Sequence, residues 1–275
     1  MYQFNAIEAK NACVDWIKSW FDLNGQECHA VIGLSGGKDS TVAAALCVEA
    51  LGKDRVLGVF MPNRHQSDIA DSYRVADFLD IKAVEVNIED MVHAFRANIM
   101  SSIVIAQEDS FLNETPALED FYDSVQETSQ MITNLPPRIR MTTLYAIAQM
   151  LPMGGRVVNT CNLSETILSW ETRWGDNVGD FSPLINFTAT EVVQIGLTMD
   201  LPRDLIEKIP ADGMTGMSDE EAMGIPYSVC DTYLRTGTIN DIEVVNKIEE
   251  RASKFAFKRR PIPAFDSHLP CIIED

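Results

Sequence analysis

Residues 30–40 read AVIGLSGGKDS. Val31, Ile32 and Leu34 form a short apolar run rich in β-branched side chains, the pattern of a strand buried on both faces of a parallel sheet. Thr41 to Leu51 (TVAAALCVEAL) is built of good helix formers with an apolar stripe, and Asp39 is expected to cap that helix. Between strand and helix, Ser35-Gly36-Gly37 lets the chain turn sharply and aim successive N–H groups into one concavity, with the positive helix end behind it. Such a cradle takes an anion, phosphate above all. It departs from the kinase or GTPase phosphate loop, which needs Gly, four residues and then Gly-Lys-Ser/Thr, because Lys38 is followed by Asp39. A carboxylate beside a phosphate is repelled unless a cation stands between them. Asp39 therefore reads as a Mg²⁺ ligand, with Ser35, Lys38 and Ser40 on phosphate oxygens. The plainer alternative, a glycine turn whose Asp merely caps the helix, is disfavoured by the register of strand, loop and helix.

Outward from this loop, apolar strands at 55–62, 82–88 and 156–161 alternate with helical patterns at about 69–79, from near Glu89, and at 134–151. The expected class is α/β, a doubly wound parallel sheet flanked by helices, with ligands at the carboxyl ends of its strands. Residues 4–23 form a packing helix that stops at Asn24-Gly25, and helices are also expected over 187–202 and 238–255. Residues 96–134 are less regular and read as an excursion that packs on a partner. In NLPPRIRM, Arg138 and Arg140 fall in the first turn of a helix starting at 134, where cations are unfavourable, so they are expected to serve an anionic ligand. The strand RVVNTC delivers Asn159, Thr160 and Asn162, then Glu165. The Gly- and Asp-rich loop at 171–184 reads as a site lining, with Trp170, Trp174, Asp176 and Asp180 prominent. The acidic, Gly- and Met-rich stretch at about 208–224 is expected to be a mobile lid. Lys258, Arg259 and Arg260 form a basic cluster open to three readings: a ligand phosphate, a partner's acidic face or a plain surface patch.

At 275 residues with 46% hydrophobic content, the chain suffices for one large domain, expected to span 1–275. A net charge of −19 opposes long contact with nucleic acid or an anionic membrane. Six separated cysteines with no C-x-x-C pair read as reduced buried thiols. With no leader pattern and no run of about 18 apolar residues, a cytoplasmic protein is expected.

The SGGKDS loop resembles that of the N-type ATP pyrophosphatases, which share the adenine nucleotide alpha hydrolase-like fold. The order of further segments, MPNRHQSD, NLPPRIRM, NTCNLSE, TRWGDNVGDFSPL and PADG…SDEEAMGIPY, resembles the ammonia-dependent NAD synthetases over nearly the whole chain. The resemblance implies ATP-dependent amidation of nicotinic acid adenine dinucleotide by ammonia, through an acyl-adenylate, in a homodimer with sites along the interface. It implies that Gly33, Ser35, Gly36, Gly37, Lys38, Asp39, Ser40, Met61, Gln66, Arg138 and Thr160 line the ATP site, and that Asp39 and Glu165 ligate Mg²⁺. It further implies that Asn134, Arg140, Tyr145, Trp170, Arg173, Asp176 and Asp180 line the dinucleotide site, with Asp176 taking a proton from ammonium. Departures are Ala189 where many relatives carry Lys, Ala211-Asp212 where they carry Thr, and Arg64 where glycine is common; Lys208 and Lys38 are candidates to replace the lost phosphate contacts. Other readings are a different adenylating amidotransferase, a tRNA thiolase of the same superfamily, or a silent nucleotide sensor. The absent C-x-x-C and the acidity count against the thiolase, and the intact Asp39, Glu165 and Asp176 count against the sensor.

Overall fold

Four strands, β1 (His29–Gly33), β2 (Val56–Phe60), β3 (Lys82–Glu85) and β4 (Gly155–Val157), pair in parallel in the order β3-β2-β1-β4. The computed structural model describes residues 2–64, 69–112, 124–208 and 218–263. In β1, Ala30 and Ile32 join a core built with α1 (Ala6–Asn24) and α2 (Lys38–Leu51), including Ile17, Phe21 and Leu46. Val31 points the other way, into a second core with Val59, Leu144 and Ala148. Both faces are covered, which is why the strand reads as an unbroken apolar run rather than an alternating one. β1 is flanked by β2 on one side and β4 on the other, so the strand order reverses there and a crevice opens beyond the carboxyl ends of β1 and β4.

α3 (Ile69–Leu79) joins the first core through Val75 and Ala76, and α4 (Glu89–Leu112) the second through Val92. α5 (Ser129–Met150) covers the second face. It begins five residues before the expected start, because Thr128 accepts a hydrogen bond from Met131 N and caps it there. Pro136 and Pro137 therefore sit inside the helix. The carbonyls they leave without a donor belong to Ile132 and Thr133, both exposed to water. Arg138 and Arg140 lie in the third and fourth turns, beyond reach of the positive terminus, so the misfit argument made for them does not hold. A third cluster joins α6 (Leu163–Leu168), α7 (Ala189–Gly196), α10 (Tyr227–Thr236) and α11 (Ile242–Lys254); the short α8 (Arg203–Ile206) and α9 (Asp219–Met223) lie between them in sequence. Five cysteines, at 13, 28, 47, 161 and 230, are free and buried. Among the described residues no helix is long and apolar enough to cross a membrane.

α5 and β4 approach so closely that a Cβ on Gly155 would stand 2.8 Å from Ala148 Cα and 2.8 Å from Val31 Cγ2. Gly155→Ala is expected to lower stability by about 1–3 kcal/mol, read as a reduced midpoint in urea unfolding.

Candidate active site

The loop between β1 and α2 closes on itself through hydroxyls. Ser35 Oγ lies 3.1 Å from Ser40 Oγ, Gly37 N donates to Ser35 Oγ at 3.3 Å, and Ser40 Oγ and Thr41 Oγ1 donate to Gly37 O at 3.1 and 2.8 Å. Gly36 has φ 74°, and a Cβ there would also stand 2.7 Å from Asp71 Cβ, so only glycine fits this turn against α3. Gly37 is the N-cap of α2 and brings no capping side chain. The 14-residue helix thus presents its first-turn N–H groups and positive end at the loop, an anion site by construction. Asp39 does not cap α2 as expected: it sits within the first turn, and its carboxylate turns instead toward Lys38 and Asn162.

Asn162 joins the ends of two strands. It caps α6 by accepting from Glu165 N at 3.0 Å, while Glu165 returns a carboxylate oxygen to Asn162 N at 3.2 Å. Its Nδ2 donates to Asp39 Oδ1 at 2.9 Å. The two carboxylates are thereby held in one crevice, and burial together with the neighbouring Asp39 charge raises the Glu165 pKa well above the usual range. Lys38 Nζ reaches Asp39 Oδ2 at 2.7 Å. Burial works against the lysine's charge, but Asp39, Glu165 and Asp219 outweigh it and raise its pKa. Among the described residues no three His, Cys, Asp or Glu side chains gather into a metal cage by themselves. The Asp39–Glu165 pair, beside an anion cradle, fits a cation that also takes oxygens from a phosphate.

On the other side, Asp176 accepts from Thr172 N at 2.6 Å, and Thr172 Oγ1 donates to Asn134 Oδ1 at 2.8 Å. Burial raises the Asp176 pKa, opposed by the Thr172 N–H and by the charges of Lys258 and Arg140. Arg140, its pKa lowered by burial and supported by Asp176, donates to the main-chain carbonyl of Met61 at 3.0 Å. Met61 borders Gly33, whose added Cβ would stand 3.1 Å from the Met61 methyl. Electrostatically the chain Asp39–Glu165–Asp176–Arg140 is continuous. Thr160, half-buried, follows β4.

Other candidates lie apart from this chain of charges. Tyr145 OH donates to Asp180 Oδ1 at 3.3 Å, and Asp180 Oδ2 accepts from Val157 N at 2.7 Å. Arg138 is exposed and donates to the carbonyl of Arg173 at 3.2 Å. Arg173 lies over the Trp174 and Phe257 rings, at 4.9 and 5.3 Å from the ring centres, and among the described residues its buried Nε has no hydrogen-bond partner. The Trp170 ring faces the Arg251 guanidinium at 5.5 Å. Lys208 pairs with Asp71 at 2.8 Å. Gln66, and residues 209–217 of the lid expected over about 208–224, with Ala211-Asp212, fall outside the described residues, while the end of that stretch forms α9, capped by Ser218.

The basic cluster has a structural use that was not among the readings of the sequence. Lys258 donates to Ser169 O and Glu171 O at 3.1 and 2.7 Å, Arg251 to Leu168 O at 2.6 Å, and Arg259 to Thr166 O and Ile167 O at 3.4 Å. These cations close the negative end of α6, the helix that carries Glu165. Sequence reasoning also missed Thr172 and Tyr227. Among the described residues the Tyr227 hydroxyl is buried without a hydrogen-bond partner, near Glu165, Asp219 and Asp39, and its sequence signal is its place after the acidic stretch in GIPY.

Residues 9–262 match the family model described as NAD synthase. The chain is 33% identical to an NH(3)-dependent NAD(+) synthetase of Pyrococcus furiosus, over 82% of this chain and 81% of that protein. It is equally 33% identical to one from Methanosarcina acetivorans, over 93% and 97%. Among solved structures, an NMN synthetase from Francisella tularensis superposes with TM-score 0.79 at 26% identity, covering 97% of this chain and all of that one. An NH3-dependent NAD synthetase from Campylobacter jejuni, at 23% identity and TM-score 0.70, shares the fold. With its loop, its paired carboxylates and its matches running almost end to end, the chain belongs to the NAD synthase family.

Proposed function

We propose that this chain, acting as one catalytic domain, uses ATP to amidate nicotinic acid adenine dinucleotide with ammonia, giving NAD, AMP and pyrophosphate. The observation that carries the reading is the pairing of Asp39 and Glu165 across Asn162 at the mouth of the SGGKDS loop, in a chain whose relatives are NH(3)-dependent NAD(+) synthetases. A carboxylate is a poor electrophile, so the nicotinate carboxylate must first attack the α-phosphorus of ATP. Ser35, Gly37, Ser40 and the first turn of α2 would receive the departing pyrophosphate. Asp39 and Glu165 would hold Mg²⁺, which when bound neutralises the charge growing on that leaving group. Arg140 and the Asp176–Thr172–Asn134 chain would orient the nicotinate end. Ammonia is mostly ammonium at neutral pH, and Asp176, open to solvent at the crevice yet with its pKa raised by desolvation, is suited to accept the proton that frees the nucleophile.

A homodimer is part of this reading. α4 exposes Phe95, Ile99, Val104 and Ile105, and a groove of about 300 Å³ runs between α4 and α5, lined by Phe95, Ile99, Met131, Leu135, Arg138, Ile139 and Thr142. An apolar face of this kind needs a cover. A second copy would supply it and bring Arg138 to a shared site. A second acceptor to test is the mononucleotide counterpart, because the fold also superposes on an NMN synthetase.

Incubation with ATP, Mg²⁺, ammonium and either the dinucleotide or the mononucleotide is expected to yield AMP in step with the amide. Asp39→Asn and Glu165→Gln should each lose on the order of 10² or more in turnover. ADP as product, or a fully active Asp39→Asn, overturns the mechanism, and the better acceptor decides between the two substrates. In Asp176→Asn, turnover should fall at neutral pH and recover as pH rises and free ammonia accumulates; a defect constant across pH would remove the proton-acceptor role. Phe95→Glu should shift the chain from dimer to monomer in light scattering.

A further inference from the structure

Lys38 and Asp39 are consecutive on the first turn of α2, and side chains one residue apart on a helix point roughly 100° away from each other. A lysine at a helix start is free to extend into water. Here the stem folds back until Nζ stands 2.7 Å from Asp39 Oδ2, the side chain keeps only 5% exposure, and the ammonium lies 5.8 Å from the centre of the Tyr227 ring. The charges it faces are Asp39, Glu165 and Asp219. The other oxygen of Asp39 is held by Asn162, whose second task as cap of α6 ties it to Glu165 and fixes it in place. Of the two donors on Asp39, the one on a flexible four-carbon stem is the one able to leave.

We propose that Lys38 is a resident counter-ion: with no nucleotide bound, its ammonium occupies the charge of the Asp39–Glu165 pair and keeps a divalent cation from settling there alone. When the cation arrives together with the phosphates of the substrate, it displaces Lys38 from Asp39, and the ammonium passes to a phosphate oxygen. Metal and nucleotide therefore enter as a unit, and the empty site stays compensated. This proposal rests on the reading of Asp39 and Glu165 as cation ligands.

The test is Mn²⁺ binding to the full chain at fixed pH, followed by the electron paramagnetic resonance signal of free Mn²⁺, with no nucleotide present. Lys38→Met and Lys38→Gln should each bind one Mn²⁺ at least about 10-fold tighter than the native chain, Lys38→Arg should stay weak, and Lys38→Met with Asp39→Asn should lose the gain. Equal affinity in the native chain and both charge-free variants overturns the proposal. A parallel series with pyrophosphate separates the two levels: there Asp39→Asn should weaken Mn²⁺ binding. If it does not, the cation-ligand reading itself fails; if it does while the nucleotide-free series shows no gain, the counter-ion role alone fails.

Discussion

The side-chain amide of Asn162 holds two hydrogen bonds at once, one given to Asp39 Oδ1 at 2.9 Å and one taken from Glu165 N at 3.0 Å, in a residue with no exposed surface. Two carboxylates in one buried crevice repel each other, and the chain tolerates them only where donors fix each in place. The amide is able to span them because β1 and β4 are neighbours in a parallel sheet, so the segments that follow both strands emerge side by side. The placement of Asp39 beside Glu165, and with it the tie between α2 and α6, depends on that one bridge.

Charge on this molecule is arranged by locality. The whole chain carries −19, yet the crevice is surrounded by cations with separate tasks. Arg140 supports Asp176 and holds the main chain at Met61, Lys38 answers Asp39, and Arg251, Lys258 and Arg259 close the carbonyl end of α6. The last group shows how a basic cluster can brace the helix that carries a site residue. By satisfying the final carbonyls of a six-residue helix, it holds Glu165 at that helix's other end. Loss of Lys258 would therefore act on the site at a distance, through Ser169 and Glu171 and the loop that leads to Asp176.

Much of the fold was legible locally. The apolar run at 31–34, the glycine turn and the alanine-rich helix after it are short-range signals, and strand, loop and helix follow where periodicity and backbone freedom place them. The order of motifs carried the family, and the paired carboxylates Asp39 and Glu165 were visible as residue types after two strand ends. Where the reading failed at α5, a cap a few residues upstream of the expected start decided. The start of α5 was set by Thr128, ahead of the two prolines that looked like its boundary, and this moved Arg138 and Arg140 two turns into the helix.

By itself the sequence determined the parallel α/β architecture and the glycine turn between β1 and α2, because each follows from neighbours within a few residues. Only the tertiary structure decided which groups meet: Asn162 with Asp39 across 123 positions of chain, Arg140 with Met61 across 79, and Lys258 with Glu171 across 87. Those pairings depend on strand order and helix packing, which bring distant residues within 3 Å or so of one another. Composition and spacing hold no record of that distance, and so the same lysines and arginines that looked like ligand anchors in the chain divide, once it is folded, into those that face the crevice and those that hold its walls.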